Sequence, residues 1–432
     1  MVAFHYPPFH GSSSVHRTLQ FSRHLGHFGW EPRILTVHER SYRQTMNDQV
    51  GAIPPNIRVD RIFALDVARD LSIRGYYPFW AAMTDEWWTW VLGAVPKGLN
   101  IIRRHNVDVI WSTFPILSAH LIGLTLHRIT GLPWIADFRD SMTEKGYPRP
   151  HSRFKVHRWL EGKIVEQCTR AIFTTTGARR MYAERYPLIP EERWGVIANG
   201  YDEEAFAGAE KLPRRPARKQ GPAVLLHSGV LYPYERDPRA FYTSLADLRK
   251  LGKINPENLK IVLRGSGHDD YHQRQIAEYG IGDIVHLEKS LPYREALSDM
   301  LQADGLLIFQ ADHCNHMIPA KVYEYLRCRR PILALTDWAG DTANLLRENG
   351  VDTIVPLDSV PAISEHLIRF MQLCKMGTSP LPDPAKVRFY SRAYRTRELA
   401  ELFDCVLEEG NGRTSHSGRE QRQPEITEYH SY

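Results

Sequence analysis

Five stretches of this chain combine residue types that could bind an anion or move a proton. The densest runs Cys314-Asn315-His316-Met317-Ile318-Pro319-Ala320-Lys321-Val322-Tyr323-Glu324. Pro319 suits the first turn of a helix. Lys321 then lies near the positive end of that helix, which its charge opposes unless an anion sits between them. Glu324, three residues on, shares its face. A cation at a helix start with a carboxylate one turn later can hold a phosphate and a ribose diol together. Gly340-Asp341-Thr342-Ala343 adds another helix start facing the same side, although an ordinary surface Lys–Glu pair would use the same residue types.

The other four are sparser. Pro7-Pro8-Phe9-His10-Gly11-Ser12-Ser13-Ser14 precedes a helix carrying His16 and Arg17. Gly11, Ser12 and Ser13 would expose backbone N–H groups and hydroxyls as an anion seat. The spacing is neither GxGxxG nor a P-loop, and a serine helix cap in a flexible turn fits it equally. Asp137-Phe138-Arg139-Asp140 closes a strand, and alternate positions put Asp137 and Arg139 on one side. A structural salt bridge competes with a catalytic use of these groups. In the stretch from Leu226 to Pro238, Gly229 follows a strand and Arg236 stands just before a helix. That arginine could hold a diphosphate bidentately, or pair with Glu235 or Asp237. Arg264-Gly265-Ser266-Gly267 follows a further strand, where its glycines would let backbone approach a flat ligand. His313, Cys314 and His316 match no common zinc spacing. No G-x-S-x-G elbow or isolated nucleophile stands out.

Strand-to-helix loops must bring these stretches together. Strands are expected at Val2–Tyr6, Arg33–Val37, Val107–Ser112, Trp134–Asp137, Ala171–Thr175 and Trp194–Ala198, with an amphipathic helix over Val15–Phe28. After Tyr201–Pro222, polar and proline-bearing, the pattern restarts. Further strands are expected at Ala223–Ser228, Leu259–Leu263, Ile284–Leu287, Gly305–Phe309, Pro331–Leu335 and Thr353–Pro356. Alternating strands and helices imply parallel, doubly wound sheets. The division is residues 1–200, a linker over 201–222, a second unit over 223–383, a helical pair Pro384–Glu408, and a disordered polar tail over 410–432. Ligands of such sheets sit beyond the carboxyl ends of the strands.

Of the 432 residues, 43% are hydrophobic and 24% charged, an ordinary globular balance. No apolar run approaches the roughly 20 residues of a membrane span, and no signal peptide is expected. Five scattered cysteines without a CxxC pair point to reduced thiols in a cytoplasm. Residues 1–200 hold 25 Lys+Arg against 17 Asp+Glu, a balance of +8, and the remainder 30 against 33, a balance of −3. A basic first half suggests an anionic partner, or merely a solvated basic surface. Nucleic-acid motifs are missing. The aromatic run from Tyr76 to Trp90 either packs internally or, with Arg103 and Arg104, docks peripherally on a membrane.

The chain resembles the GT-B glycosyltransferases, more narrowly their family 4-like group. The resemblance runs from Phe4-His5-Tyr6-Pro7-Pro8 to the helix around Ala343. Its most specific part is Ile318-Pro319-Ala320-Lys321 through Glu324-Tyr325-Leu326 to Arg330-Pro331-Ile332-Leu333. Ser112-Thr113, Asp137-Phe138-Arg139-Asp140 and Ile197-Ala198-Asn199-Gly200-Tyr201-Asp202 are similar too. The resemblance implies two Rossmann-like units facing a cleft, the first binding an acceptor and the second a nucleotide-sugar. It also implies that the last helix, within 384–408, packs back on the first unit.

By the same resemblance, Gly229, Arg236, Gly265, Ser266, Gly267, Ala320, Lys321 and Glu324 would bind the donor. Glu324 would hold the ribose, and Arg236 and Lys321 the diphosphate. Asp140 would join Arg236 and Lys321 in catalysis, with Gly11, Ser12, Ser13, Arg17, Asp137 and Arg139 on the acceptor side. Two positions depart from the pattern: His316 replaces a glutamate, and Val230 replaces an arginine. The implied reaction is metal-independent retaining transfer of a hexose-like sugar to a glycan or lipid-linked acceptor, in polysaccharide or glycoconjugate biosynthesis. No cofactor is implied, and a UDP-sugar is favoured over a GDP-sugar. No nucleic-acid partner is expected, and the implied location is cytoplasmic, at the inner membrane face if peripheral. Two alternatives stay open: a sugar-nucleotide epimerase of similar fold, and a non-catalytic nucleotide-sugar-binding partner protein.

Overall fold

The computed structural model describes residues 1–9, 14–72, 74, 76–78, 82–213 and 221–412. In the first half lie β1 (Arg33–Val37), β2 (Arg58–Ile62), β3 (Ile110–Thr113), β4 (Trp134–Phe138), β5 (Arg170–Phe173) and β6 (Trp194–Val196). β1 pairs with β2, and β3 to β6 pair in sequence order, all in parallel. The expected strand Val2–Tyr6 requires correction: Val2 alone bridges, to Leu35 of β1 and to Ser112 of β3. Its N–H donates to the Trp111 carbonyl at 2.7 Å, and its own carbonyl accepts from Thr113 N–H at 3.2 Å. One residue therefore joins two ladders. Just beyond it the chain turns at Pro7-Pro8, residues with no N–H to give a ladder. β2 went unforeseen because its Arg-Val-Asp-Arg-Ile sequence lies at a partly exposed sheet edge, where charge is tolerated.

The second half carries β7 (Ala223–Ser228), β8 (Leu259–Arg264), β9 (Val285–Glu288), β10 (Gly305–Phe309), β11 (Ile332–Leu335) and β12 (Ile354–Val355), in the order β12-β11-β10-β7-β8-β9. All are parallel, within a residue or two of expectation at most ends. Their near-continuous apolar sequences follow from burial on both faces. Leu226, Leu306, Ile308, Ile332 and Ala334 enter one core. Leu225, Leu307, Phe309, Leu333 and Leu335, the alternate positions, enter another.

The expected linker over 201–222 is corrected in its first part. Asp202 caps a helix, Glu203–Glu210, by accepting from Ala205 N–H at 3.1 Å. Ala205, Phe206 and Ala209 of that helix are buried in one cluster with Leu297 and Met300 of helix Tyr293–Gln302. Residues 214–220 lie outside the described residues.

Helix Arg392–Gly412 crosses back to the first half of the chain. Its Leu399, Ala400, Phe403 and Val406 are buried with Phe21, Leu25, Trp111, Ile135 and Ile172. The tail expected over 410–432 falls outside the described residues from 413 onward, and residues 410–412 complete this helix. In the aromatic run, Trp90 is fully buried and Trp87 and Trp88 half-buried, whereas Tyr76 is exposed; Gly75, Phe79 and Trp80 lie outside the described residues. Among the described residues no helix is long and apolar enough to cross a membrane.

Leu399 is wholly buried on the returning helix. Leu399→Ala is expected to lower unfolding free energy by about 2–5 kcal/mol, the range for such a truncation. A denaturant midpoint unchanged from the parent protein would show that the helix does not complete the first core.

Candidate functional site

The carboxyl ends of β7 and β8 and the start of helix Lys321–Cys328 gather an unusual pair of cations. Gly229, just after β7, has φ 103°, and a Cβ there would lie 3.1 Å from Lys321 Nζ. A side chain at this position would crowd the ammonium. Lys321 Nζ donates to His227 Nε2 at 2.9 Å, while His227 Nδ1 lies 2.9 Å from the Leu307 carbonyl. Burial first, and the Lys321 charge second, hold His227 well below the ordinary imidazole range. His227 is therefore neutral, protonated on Nδ1, with its Nε2 lone pair turned to the ammonium. Burial, reinforced by Arg236, also pushes Lys321 well below the usual lysine range, with Glu324 opposing.

Arg236 donates to the Val230 carbonyl and lies over the Tyr232 ring at 5.3 Å. Burial lowers its pKa, countered by Glu235 and Tyr232. Asp237, a partner suggested by the sequence, pairs with Arg239 instead. Among the described residues neither Arg236 nor Lys321 has a carboxylate within ion-pair distance. Glu324 accepts from Tyr293 Oη at 2.9 Å. Burial raises its pKa, while Tyr293, Arg392 and Lys321 pull the other way.

Ala320 immediately precedes the Lys321 helix. Gly265 and Gly267 take left-handed φ values of 58° and 60°, conformations that glycine adopts without strain. Ser266 between them is buried, and its hydroxyl donates to Asp269 at 2.9 Å. The hydroxyl thereby closes its own turn.

On the acceptor side Arg17 and Asp137 also need correction. Arg17 Nε and Nη2 donate to the two Asp137 oxygens at 2.9 and 3.1 Å, both side chains being buried. Arg17 further donates to the carbonyls of Ala198 at 3.0 Å and Ile197 at 2.9 Å, and Thr113 Oγ1 donates to Asp137 at 3.2 Å. The pair is a structural clasp with little left for a substrate. Gly11, Ser12 and Ser13 lie outside the described residues.

Arg139 and Asp140 lie half-buried just beyond β4. Arg139 Nε is buried without a partner. Burial raises the Asp140 pKa against the pull of Arg139. No hydrogen bond or ion pair engages the Asp140 carboxylate among the described residues.

His316 sits where the two halves touch. Its Nε2 is 2.8 Å from Glu144 Oε1, and its carbonyl accepts from Thr175 Oγ1 at 2.6 Å. Burial works to raise Glu144, and the hydrogen bond and charge of His316 outweigh it, leaving its pKa lowered. Asp341 Oδ2 accepts from Gly177 N–H at 2.7 Å alongside.

Sequence reasoning missed three groups. His227 lies within the stretch from Leu226 to Pro238 without a motif to mark it, although it stands two residues before Gly229 on a strand. Tyr293 and Arg392 carried no local signal at all. A cavity of about 460 Å³, lined by Val2, Leu35 and Trp111 among others, opens near the amino end of the first sheet and contains none of the site residues above.

Residues 15–205 match the family model for Glycosyltransferase Family 4. No curated protein matches the chain in sequence. Among solved structures the chain is similar to a glycosyltransferase from Rickettsia africae ESF-5, at 13% identity and TM-score 0.63, over 94% of this chain and 98% of that one. It is also similar to WaaG, a glycosyltransferase involved in lipopolysaccharide biosynthesis, at 16% identity and TM-score 0.57, over 96% and 100%. A UDP-N-acetylglucosamine 2-epimerase aligns at 13% identity and TM-score 0.53, over 99% and 98%. Identities this low establish fold alone. The fold is that of the GT-B glycosyltransferases, with Rossmann-like parallel sheets, as the resemblance implied.

An anion placed against Lys321 would restore its depressed pKa toward the ordinary value, so binding takes up protons and weakens as pH rises. Titration calorimetry with pyrophosphate in two buffers of different ionisation enthalpy reads that uptake directly. Identical enthalpies in the two buffers would sink the assignment.

Proposed function

We propose that the protein is a glycosyltransferase that moves a sugar from a nucleotide-sugar to a glycan or lipid-linked acceptor. One observation carries the reading. Arg236 donates to the carbonyl of Val230, the neighbour of the Gly229 on which Lys321 Nζ closes; among the described residues neither cation has a carboxylate partner, and the helix that Lys321 begins presents Glu324 in its first turn. Like charges buried together are costly unless an anion joins them. A nucleoside diphosphate meets that demand and brings a ribose diol within reach of Glu324.

Transfer breaks the bond from the sugar anomeric carbon to the diphosphate oxygen and forms one to the acceptor oxygen. The acceptor proton passes to the departing phosphate. Arg236, Lys321 and the helix-start amides stabilise the charge growing on the diphosphate, in a cleft largely closed to water. His227 keeps Lys321 in place by accepting from it. Asp140, at the end of β4, faces the transferred sugar and offsets positive charge developing at the anomeric carbon. Retention of configuration, independence from metal, a UDP-sugar donor and a role in polysaccharide or glycoconjugate assembly complete the proposal. The match of residues 15–205 to a glycosyltransferase family supports it. The epimerase of like fold keeps an acceptor-free reaction as the second reading.

Thermal stabilisation across nucleoside diphosphates and their sugars tests the donor site. A ligand at a hundred times its dissociation constant adds about 2.7 kcal/mol. Glu324→Ala is expected to weaken donor binding about 10- to 100-fold, as when a charged hydrogen bond is lost. Arg236→Ala should chiefly slow transfer, by on the order of 10²–10³. If both variants keep full activity, the site is misplaced. Epimerisation of the donor without acceptor would establish the second reading.

A further inference from the structure

Among the described residues the Glu324 carboxylate receives one hydrogen bond, from the Tyr293 hydroxyl to Oε1 at 2.9 Å. Both residues are half-buried rather than sealed in a core. Tyr293 opens helix Tyr293–Gln302, whose Leu297 and Met300 share a core with Val322 and Leu326 of the helix that carries Glu324. The Tyr293 ring packs against that same core. Two helices joined through one cluster thus set the phenol against the carboxylate. From the other half of the chain, the His16 ring lies 4.6 Å from the Tyr293 ring. His16 belongs to helix Ser14–His24, and Gln49 Nε2 donates to its Nε2 at 3.4 Å. Burial first, then Arg392 and Arg139, hold this imidazole down to about 3, so the ring is neutral.

A carboxylate serving only to balance cations would pair with one. Glu324 forms no ion pair among the described residues, although Arg392 and Lys321 both act on it, with Asp202 opposing. Its hydrogen bond comes from a neutral hydroxyl instead. Such a bond favours the ionised form and fixes which oxygen is left free. An ionised carboxylate only accepts, which is what a pair of sugar hydroxyls requires of it.

We propose that Tyr293 is a positioning residue for the ribose of a nucleoside diphosphate: its hydroxyl holds Glu324 Oε1, leaving Oε2 to receive the diol, and His16 braces the Tyr293 ring from the other half. This rests on Glu324 binding the ribose, as the transferase reading has it. Tyr293 acts through Glu324 and touches no nucleotide itself. Because His16 lies in the first half, ribose binding by the second half depends on how the two halves meet. The brace is a ring contact between neutral groups, so it adds no charge beside Arg392.

The test is titration calorimetry of UDP, GDP and ADP, each beside its 2′-deoxy form, against the full chain and its variants. The parent protein should bind one ribonucleotide at least about tenfold tighter than its deoxy form, as when a charged hydrogen bond is lost. Glu324→Ala should bring the two forms within about twofold of each other. Tyr293→Phe keeps the ring and its packing, and should lower the preference about three- to tenfold, chiefly by weakening the ribonucleotide. Thermal midpoints check folding. If Glu324→Ala abolishes the preference while Tyr293→Phe retains it, the positioning role falls and the ribose reading stands. If Glu324→Ala retains the preference, or no nucleotide binds the parent, the ribose reading falls and the proposal with it. The preference followed from about pH 5 to about pH 9 gives a readout that packing alone would not move. Losing the hydroxyl raises the Glu324 pKa, so on acidification Tyr293→Phe should lose its preference at a higher pH than the parent. The ratio of two ligands cancels the Lys321 contribution, which both share. Coincident profiles overturn the positioning role. His16→Ala should weaken the ribonucleotide about two- to fivefold in the parent and not in Tyr293→Phe, the mark of groups acting in series. Equal losses in both backgrounds overturn the part given to His16.

Discussion

The buried ion pair between Arg17 and Asp137 organises the first half of the cleft. A guanidinium enclosed among apolar strands needs every donor matched, and this one receives two carboxylate oxygens and two carbonyls. The demand fixes three separated pieces of chain at one point: helix Ser14–His24, the end of β4, and the turn after β6. Thr113 at the end of β3 adds a fourth. Removing one partner of such a pair typically costs about 3–5 kcal/mol, because the other is left uncompensated. Everything at the carboxyl end of the first sheet takes its position from this point. Arg139, two residues beyond Asp137, is carried by the same strand.

Around that satisfied pair the cleft keeps other charges unsatisfied. Lys321 leans on a neutral imidazole, Arg236 on a carbonyl and a ring, and the Nε atoms of Arg139 and Arg392 have no partner. The contrast divides the basic residues by work. Arg17 has spent its donors within the fold, while the Nε atoms of Arg139 and Arg392 stay without a partner. Stability withheld in the empty protein becomes affinity when an anion arrives. Glu324, raised by burial, is steadied by the Tyr293 hydroxyl.

Much of this was legible in the residues, and the failures have identifiable causes. Runs such as Val-Leu-Leu-His-Ser and Gly-Leu-Leu-Ile-Phe announce strands buried on both faces, and the structure places β7 and β10 on the same residues. Periodicity could not reveal that Val2 works as a strand of one residue, because its two ladder partners are remote in sequence. Nor could it separate Arg17 from Arg139. Both are basic residues close to a strand end or helix start, and only the fold shows that one meets Asp137 while the other keeps an unpaired nitrogen. His316 illustrates the same limit. Its spacing marks it as a replacement, but its contact with Glu144 depends on how the halves meet. Arg392 lay furthest from view: the resemblance implied that its helix returns, but nothing in the local sequence sets this arginine apart from its neighbours.

That return has a consequence for how the protein is made. The face of the first sheet that bears Trp111, Ile135 and Ile172 is covered by Leu399, Phe403 and Val406, and these are among the last described residues a ribosome would add. Until then the emerging first half presents a bare apolar surface, a state that invites chaperone binding or association with other nascent chains. Arg392 arrives with the same segment. The first core is thus finished in one late event, and a chain stopped short of it leaves that face uncovered.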